Sequence, residues 1–515
     1  MPAPRRHLRL DDEPLRSALA QLRRDLDVPG PFPDSVAAAA ARASDRFSEG
    51  RADATHLALV AVDPPGARDL DQAFALEESE DGWVLHYAIA DVAAFVVPGD
   101  PVDLASRERG STLYLPDGKA PLHPKDLSEG QGSLLPGQTR CALWWRLAFD
   151  PDGEAIGAEV RRATVRVRLA TSYEVISDVL AQADGDAPPH GQRPPPSGSA
   201  IDLQAPDGDA VARAAERGVD LVQLAQTLRR FGHLRLDRQA ERGGVSLALP
   251  EQDVEVDGNG DVHLLATPSL PAEEWNAQLS LATGMAAARL MLDGNMGLLR
   301  TLPAVESGML SELKRASSAL GHPWPHASGS PTTQYGAWVR SLDPSTPAGA
   351  ALMLTATKGL RGSGYAAFNG EPPELTTHAA VAAPYAHVTA PLRRLGDRYA
   401  AELALAAFEG RPAPQWVLDE FDELPQVLND ANRRASSVDR AVVDLLEAAV
   451  LAPRVGEAFP AVVLSQGREG LRVQVTDPPV IADAAGSAED GAQVRVRLTR
   501  ADPTKRDVRF EVTHG

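Results

Sequence analysis

The chain has 515 residues, of which 43% are hydrophobic and 24% charged, and its formal net charge is −20 at pH 7. This length allows roughly three domains, and the acidic charge excludes a generic nucleic-acid coat protein, which needs a basic surface. The single cysteine, Cys141, permits no intramolecular disulfide and fits a reducing cytosol. No window is apolar enough to span a membrane, and no signal peptide is evident, so we expect a cytoplasmic protein without a membrane partner.

Residues 1–50 predict a short helical module. Asp12 is placed to cap a first helix. The apolar residues of that helix recur at helical spacing: Leu15, Leu19, Leu22 and Leu26. A second helix would start at Asp34 and run through the alanines to Phe47. Two short helices are compatible with a helix-turn-helix-like module, and equally with any small helical cap.

Three carboxylates, Asp63, Asp69 and Asp71, fall within nine residues, and Gln72 follows the last. The Asp-Pro-Pro-Gly turn ends a short apolar strand, and if the chain then extends again, Asp69 and Asp71 point to the same side. Carboxylates that lie close together repel one another, and a bound cation commonly offsets this repulsion. Oxygen ligands suit Mg²⁺ or Mn²⁺, and two such ions would form a phosphodiester hydrolase site. A solvated acidic turn is the plain alternative.

The next segments favour the catalytic interpretation. His86 to Pro98 reads HYAIADVAAFVVP, and Tyr114 stands in a Leu-Tyr-Leu-Pro run. In this order, after the carboxylates, the segments resemble the catalytic (RNB) domain of the ribonuclease II / ribonuclease R family of 3′-to-5′ exoribonucleases. The resemblance implies an α+β fold in which a large mixed catalytic domain occupies residues 51–453.

The resemblance also implies roles for the acidic residues. Asp63, Asp69 and Asp71, with Gln72, would hold one or two Mg²⁺ or Mn²⁺ ions, and Asp71 matches the family position whose loss is most damaging. The family carries a fourth Asp where this chain has Gln72, so one negative charge is missing. Tyr114 matches a tyrosine that stacks on a base near the 3′ end of RNA; a core residue is the plain alternative.

The middle of the chain offers weaker signals. Leu247 stands where ribonuclease II has the Phe that completes the stack with Tyr114. An insert at residues 183–209, rich in Pro, Gly, Ser and Asp, predicts a mobile surface loop. A helix over residues 211–242 carries basic side chains that form either a solvated face or a wall of an RNA channel: Arg229, Arg230, Arg235 and Arg238.

A long helix over residues 272–292 begins with Glu273 in its first turn. Two interpretations of Glu273 stay open. Its charge can complement the helix dipole. By the resemblance, it would instead accept a hydrogen bond from a ribose 2′-hydroxyl, the group that separates RNA from DNA.

A second chemical cluster lies at residues 385–394. The Thr-Ala-Pro sequence predicts a helix that begins at Pro391. Backbone N–H groups at such a start, with Arg393 and Arg394, favour phosphate binding over a plain surface ion pair. The segment resembles the family signature, in which Arg393 matches the arginine that contacts the scissile phosphate. Arg394 would support it, and Ala390 replaces the Ser that would cap the helix.

Residues 454–515 alternate apolar and polar side chains in four or five short runs, which predicts a small OB-like barrel. Arg495 and Arg497 belong to a basic stretch that would grip single-stranded RNA. The family usually ends in such a domain. Its members also have cold-shock-type OB domains at the N-terminus, for which 50 residues leave no room, so the helical module would replace them.

Three functions compete at this point. The first is a processive, metal-dependent, monomeric 3′-to-5′ exoribonuclease that hydrolyses single-stranded RNA to nucleoside 5′-monophosphates, in RNA degradation and processing. The second is a catalytically inactive RNA-binding protein on the same scaffold, which only Gln72 favours. The third is a DNA-directed nuclease or a transcriptional regulator, supported mainly by Arg16, Arg23 and Arg24 of the first helix.

Overall fold

The computed structural model describes residues 13–185, 210–247, 251–256, 262–267, 269–326, 329–343, 346–467, 470–476 and 478–513. The strands are β1 (Ala52–Asp53), β2 (Val60–Val62), β3 (Gln72–Ser79), β4 (Gly82–Ala90), β5 (Leu113–Leu115), β6 (Gly118–Ala120), β7 (Thr139–Phe149), β8 (Ala155–Arg166), β9 (Leu169–Thr171), β10 (Glu251–Val256), β11 (Val262–Thr267), β12 (Met296–Thr301), β13 (Gly364–Asn369), β14 (Thr377–His378), β15 (Ala383–Pro384), β16 (Ala458–Gly467), β17 (Gly470–Thr476), β18 (Pro479–Ala485), β19 (Gln493–Asp502) and β20 (Asp507–Thr513). The helices are α1 (Glu13–Asp25), α2 (Asp34–Ala41), α3 (Pro101–Arg109), α4 (Tyr173–Asp184), α5 (Ala210–Glu216), α6 (Leu221–Glu241), α7 (Pro271–Asp293), α8 (Ser307–Ala319), α9 (Pro331–Ser341), α10 (Pro347–Ala356), α11 (Leu395–Glu409), α12 (Gln415–Glu420) and α13 (Leu424–Leu451). Short helical turns occur at Val92–Ala94, Leu127–Gln131, Thr357–Leu360 and Ala452–Arg454.

A seven-stranded mixed sheet in the order β1-β8-β7-β4-β3-β2-β9 forms the centre of the molecule. Its inner pairs are antiparallel, and β1 and β9 pair in parallel at the two edges. Side chains alternate between the faces, so on β4 the large Leu85, Tyr87 and Ile89 join the core that contains residues of α6, α7 and α11. Ala88 and Ala90 face the other way and pack in a second core. The α+β prediction is confirmed.

Strands β16 to β20 form a closed barrel in the order β16-β17-β18-β20-β19. On β19, Val496 and Leu498 are buried in the barrel core, whereas Arg495 and Arg497 alternate with them and are exposed. The alternation read from the sequence therefore places these arginines on the outer surface, and the predicted OB-like barrel is confirmed. Neither arginine is in an ion pair among the described residues, whereas Arg500 lies 3.2 Å from Asp507.

The two N-terminal helices do not form one module, contrary to the helix-turn-helix-like alternative. The apolar stripe of α1, including Leu19 and Leu22, packs in the same core as α13 and the barrel. Val36 and Ala40 of α2 instead pack in the second core of the central sheet. Each helix thus buries its apolar face against a different part of the molecule. The second helix ends at Ala41, well before the predicted end, and the predicted cap of the first helix, residue 12, lies outside the described residues.

The predicted basic helix is two helices. Gly218, with a φ of 73°, lies in the connection between α5 and α6, and the Asp220 side chain caps α6 by accepting from the backbone N–H of Gln223. Three arginines of α6 form ion pairs and Arg235 is buried, which favours the plain alternative over an RNA-channel wall; these contacts are Arg229 with Asp184, Arg230 with Glu78, Arg238 with Glu241, and Arg235 with the carbonyl oxygen of Gly153. The predicted insert falls mostly on residues 186–209, outside the described residues.

The predicted long helix over residues 272–292 is confirmed as α7. Across the described ranges, we find no helix that combines the length and the apolar character needed to cross a membrane.

Candidate active site

The acidic segment joins the end of β2 to the start of β3 in the central sheet and is held there by backbone hydrogen bonds. The N–H of Asp63 donates to the carbonyl oxygen of Thr171 on β9 at 3.1 Å, and the carbonyl oxygen of Asp71 accepts from Ala90 on β4 at 2.8 Å. Between them, the fully buried Leu70 anchors the segment in the second core. The alternation predicted from the sequence is therefore realised: Leu70 points inward, and the neighbouring carboxylates point away from it.

Asp71 connects the acidic segment to the arginine segment, 321 residues further along the chain. Its Oδ1 accepts a hydrogen bond of 2.7 Å from the backbone N–H of Leu392, and its Oδ2 lies 3.5 Å from Nε of Arg393. The side chain is only 4% exposed. Burial raises the pKa of Asp71 to about 8 and the charge of Asp69 adds to the rise, while Arg393 and the Leu392 N–H oppose it. The two motifs singled out in the sequence thus form one site.

The arginine segment precedes the helix; it does not begin it. Helix α11 starts at Leu395, so the predicted start at Pro391 is wrong, and Ala390 is not at a capping position. The reason is a tertiary contact: Arg394 adopts an extended conformation (φ −131°, ψ 121°) and forms a β-bridge with Ser111. The Thr112 N–H also donates to the carbonyl oxygen of Arg393 at 2.9 Å. This pairing holds the chain extended at the point where a helix would otherwise begin.

Asp397 fixes the shape of the arginine segment. Its fully buried carboxylate accepts the backbone N–H of Ala390 at 2.7 Å and also accepts from Arg394, with Nη2–Oδ2 at 2.7 Å and Nε–Oδ1 at 3.0 Å. Such bidentate charge-assisted bonds are directional. Arg394 is therefore paired with Asp397, and its supporting role stays a prediction. Arg393 is left to face Asp71.

Tyr114 lies beside Arg393 in a cleft of about 170 Å³. Burial raises the pKa of the Tyr114 phenol, and the charges of Arg393, Asp69 and Lys119 act on it as well. The cleft is also lined by Tyr365 and His387, whose hydroxyl and Nδ1 are 2.9 Å apart. The structure therefore brings Tyr114 to the two chemical motifs, as the sequence predicted. Leu247 is elsewhere: it packs against the core that contains Tyr335 and Trp338, and it is not among the residues that line this cleft.

Lys119 neutralises Asp69. Its Nζ lies 3.0 Å from Asp69 Oδ1 and 3.0 Å from Glu129 Oε1. Lys119 is the direct cross-strand partner of Tyr114 in the β5–β6 hairpin, so the hairpin that presents Tyr114 is tied to the acidic segment. Sequence reasoning did not identify Lys119, Glu129 or Asp397. The Asp-Gly turn before Lys119 signals a hairpin, but only the fold shows what its strands approach.

Gln72 is held by two hydroxyl groups. Its Oε1 accepts a hydrogen bond from Tyr87 and another, of 2.9 Å, from Ser280 of α7. A metal ion at Gln72 would have to compete with both. On the same side of the site, the charges of Asp63 and Glu273 add to the effect of burial in raising the pKa of Tyr173. Asp63 and Glu273 are therefore both close to Tyr173.

The donor set fits a hard divalent cation with few protein ligands. Within the described part of the chain, no three His, Cys, Asp or Glu side chains are grouped closely enough to hold a metal ion by themselves. Mg²⁺ commonly takes only one or two protein carboxylates and completes its shell with water and substrate phosphate. Burial raises the pKa of Asp71 to about 8. A bound cation would stabilise the ionised form of this buried carboxylate.

Comparisons with known proteins match most of the chain. The family model described as the RNB domain matches residues 51–409, which is more than half of the chain. The model described as the RNase II-type exonuclease C-terminal S1 domain matches residues 457–513. Ribonuclease R of Thermotoga maritima is 24% identical over 486 residues, which are 92% of this chain and 63% of that protein. The chain thus spans less than two thirds of the length of this curated relative.

Solved structures show the same fold. The structure of Mycoplasma genitalium RNase R in complex with ribose methylated single-stranded RNA has a TM-score of 0.81 at 18% identity, over 98% of this chain and 78% of that one. The structure of yeast Ssd1, described as a pseudonuclease, has a TM-score of 0.64 at 14% identity, over 90% and 55% of the two chains. One fold therefore includes a protein named as a nuclease and one named as a pseudonuclease, so activity must be argued from the residues.

Proposed function

The chain belongs to the RNB domain family, and on this premise we propose that it is a metal-dependent exoribonuclease. It would remove nucleotides from the 3′ end of single-stranded RNA and release nucleoside 5′-monophosphates. The observation that carries the proposal is the contact of Asp71 with Leu392 and Arg393. In this contact a buried carboxylate lies beside the guanidinium of Arg393, which lines the cleft together with Tyr114. A phosphodiester bound in that cleft would meet the guanidinium next to this carboxylate.

Each residue has a task in this proposal. Arg393 binds the scissile phosphate and neutralises the charge that builds on it in the transition state. Asp71, with Asp69 and Asp63, would hold Mg²⁺ or Mn²⁺. When bound, such a cation supplies Lewis-acid stabilisation of phosphate oxygens and acidifies water. We leave Gln72 out of the ligand set, because its oxygen already accepts from Tyr87 and Ser280.

The remaining site residues would select and hold the substrate. Tyr114 offers a ring beside Arg393 on which the base near the 3′ end can stack. Glu273 would accept a hydrogen bond from a ribose 2′-hydroxyl, and this contact would favour RNA over DNA. The exposed Arg495 and Arg497 of the barrel would attract the RNA backbone farther from the cut. Leu247 lies in a different core, so we do not retain it as the partner of Tyr114.

We further propose that the protein acts as a cytoplasmic monomer, because one chain supplies Asp71 and all the described residues that line the Tyr114–Arg393 cleft, and the sole cysteine fits a reducing compartment. Size-exclusion chromatography with light scattering tests this. A stable dimer that retains activity would contradict it.

The test compares the wild type with Asp71→Asn on a 5′-labelled single-stranded RNA and on DNA of the same sequence, in Mg²⁺ and in Mn²⁺. We expect the wild type to give a ladder that shortens from the 3′ end of the RNA, and the variant to give none. Thin-layer chromatography of a uniformly labelled RNA should show nucleoside 5′-monophosphates. A wild type that degrades DNA equally well would contradict the assignment of Glu273.

One observation favours a second candidate, a catalytically inactive RNA-binding protein. The position of Gln72 carries a neutral side chain, and two hydroxyl groups engage its oxygen, which lowers the number of negative charges available to a metal. If the wild type binds the labelled RNA but leaves it intact in both Mg²⁺ and Mn²⁺, this candidate replaces the first.

A further inference from the structure

The contacts of Lys119 place a fixed positive charge inside the site. Its ammonium nitrogen lies 3.0 Å from Asp69 Oδ1 and 3.0 Å from Glu129 Oε1, and its side chain is 24% exposed. The short β5–β6 hairpin limits how far Lys119 can move, since its residues are paired from Leu113 with Ala120 to Leu115 with Gly118. An ammonium held by two carboxylates makes strong charge-assisted hydrogen bonds.

The other oxygen atoms of the acidic segment that could bind a metal ion differ in how many protein groups already contact them. The Gln72 oxygen accepts from Tyr87 and Ser280. Asp71 keeps one oxygen at a hydrogen-bond distance from Leu392, while the other is 3.5 Å from Arg393, too long for a hydrogen bond. The second oxygen of Asp71 is therefore held by no hydrogen bond to Arg393 and can turn to a cation. Oδ1 of Asp69 and Oε1 of Gln72 would each first have to give up a protein partner.

We propose that Lys119 takes the place of a second divalent cation, so that the site binds one ion, at Asp71, and not two. This inference rests on the proposed function, because it concerns the metal of that same site. A second divalent ion at Asp69 would lie within a few ångströms of the ammonium, and like charges at such a distance repel strongly where water is scarce. Lys119 thus sets the number of metal ions, and it does so from β6, the strand that pairs with the Tyr114 strand.

The experiment counts bound Mn²⁺ by electron paramagnetic resonance of the free ion. The protein is saturated with a short RNA whose 3′-terminal linkages are phosphorothioates, so that substrate phosphate is present and turnover is suppressed. Four proteins are compared: the wild type, Lys119→Ala, Lys119→Arg and Lys125→Ala. Lys125 is an exposed lysine of the same region, so its replacement changes the net charge equally without touching Asp69.

We expect one Mn²⁺ per chain in the wild type, in Lys119→Arg and in Lys125→Ala, and two in Lys119→Ala. Two ions in the wild type would overturn the inference, and so would one ion in Lys119→Ala. Lys119→Arg keeps the charge, so it separates loss of charge from a distorted hairpin, and thermal melting of all four proteins confirms folding.

Cleavage of unmodified RNA by the same preparations separates this inference from the proposed function. A wild type that binds one Mn²⁺ but does not cut RNA contradicts the function and leaves the role of Lys119 standing. An active wild type that binds two ions contradicts the role of Lys119 alone.

Discussion

Replacing Asp71 by Asn should abolish RNA cleavage and at the same time stabilise the protein in the absence of metal. Asp71 is 3% exposed, and burial raises its pKa from 3.8 to about 8. The folded protein therefore holds a proton on this group over a pH range in which the unfolded chain has released it. For a carboxyl group with a raised pKa, the free energy of unfolding falls as the pH increases from the unfolded to the folded pKa.

The magnitude follows from this difference. Each pKa unit corresponds to ~1.4 kcal/mol, and pH 7 lies about three units above the unfolded value, so ionisable Asp71 costs the fold roughly 4 kcal/mol at neutral pH. Asn is isosteric, does not ionise in either state, and keeps an oxygen that can accept from the Leu392 N–H. Most of the cost should therefore disappear in the variant.

Urea denaturation from pH 4 to pH 9 in EDTA measures the effect. The variant and the wild type should be about equally stable near pH 4. Between pH 4 and pH 8 the variant should gain up to ~1.4 kcal/mol per pH unit relative to the wild type, and above pH 8 the difference should be constant. Mg²⁺ should stabilise the wild type more than the variant, because the cation binds the ionised Asp71 carboxylate of the folded wild type and the variant has no such carboxylate.

The exposed Asp126→Asn serves as the control and should leave the stability unchanged at every pH. The reasoning is refuted if Asp71→Asn is no more stable than the wild type in EDTA at pH 7. It is also refuted if the difference in the free energy of unfolding does not increase with pH.

The other predictions concern the supports of the site. Asp397→Asn should lower the free energy of unfolding by about 1.5–3 kcal/mol in urea denaturation, because it removes the charge from bonds between the fully buried Asp397 and Arg394, whose side chain is 25% exposed. An unchanged midpoint would contradict the role of this pair. Arg393→Ala should lower kcat about 10²–10³-fold while RNA binding in a filter assay falls much less, since its charge acts mainly on the transition state; equal losses in both would assign it to binding. Leu19→Ala should cost about 2–5 kcal/mol, because Leu19 is fully buried in the core shared by α1, α13 and the barrel, and a stability within 1 kcal/mol of the wild type would show that α1 is dispensable.

The sequence alone predicts well those elements whose structure depends on residues close together in the chain. The alternating runs of residues 454–515 predict a barrel because strand side chains alternate between two faces, and β19 places Val496 inside and Arg495 outside as that rule requires. The long run of residues 272–292 is helical because its length and composition suit no other element. The carboxylates of the acidic segment were found because three such charges within nine residues need a partner.

Elements decided by long-range contacts were predicted wrongly or not at all. Pro391 is well suited to start a helix, yet the helix begins at Leu395, because the segment before it pairs with Ser111 and bonds to Asp71. Leu247 occupies the expected position in the sequence, but its side chain packs in another core. Helix propensity depends on residues nearby in the sequence. The start of α11 and the packing of Leu247 depend on residues far away in the sequence.

The sequence by itself thus predicted which residues form the candidate site: the acids of the segment at Asp71 and the arginines at Arg393. Only the tertiary structure decided their electrostatic state. Burial next to Leu392 gives Asp71 its raised pKa, Asp397 binds Arg394 and leaves Arg393 to the cleft, and Lys119 reaches Asp69 from a separate hairpin. The physical reason is that the charge on a residue depends on the groups and the water around it, which only the folded chain brings together.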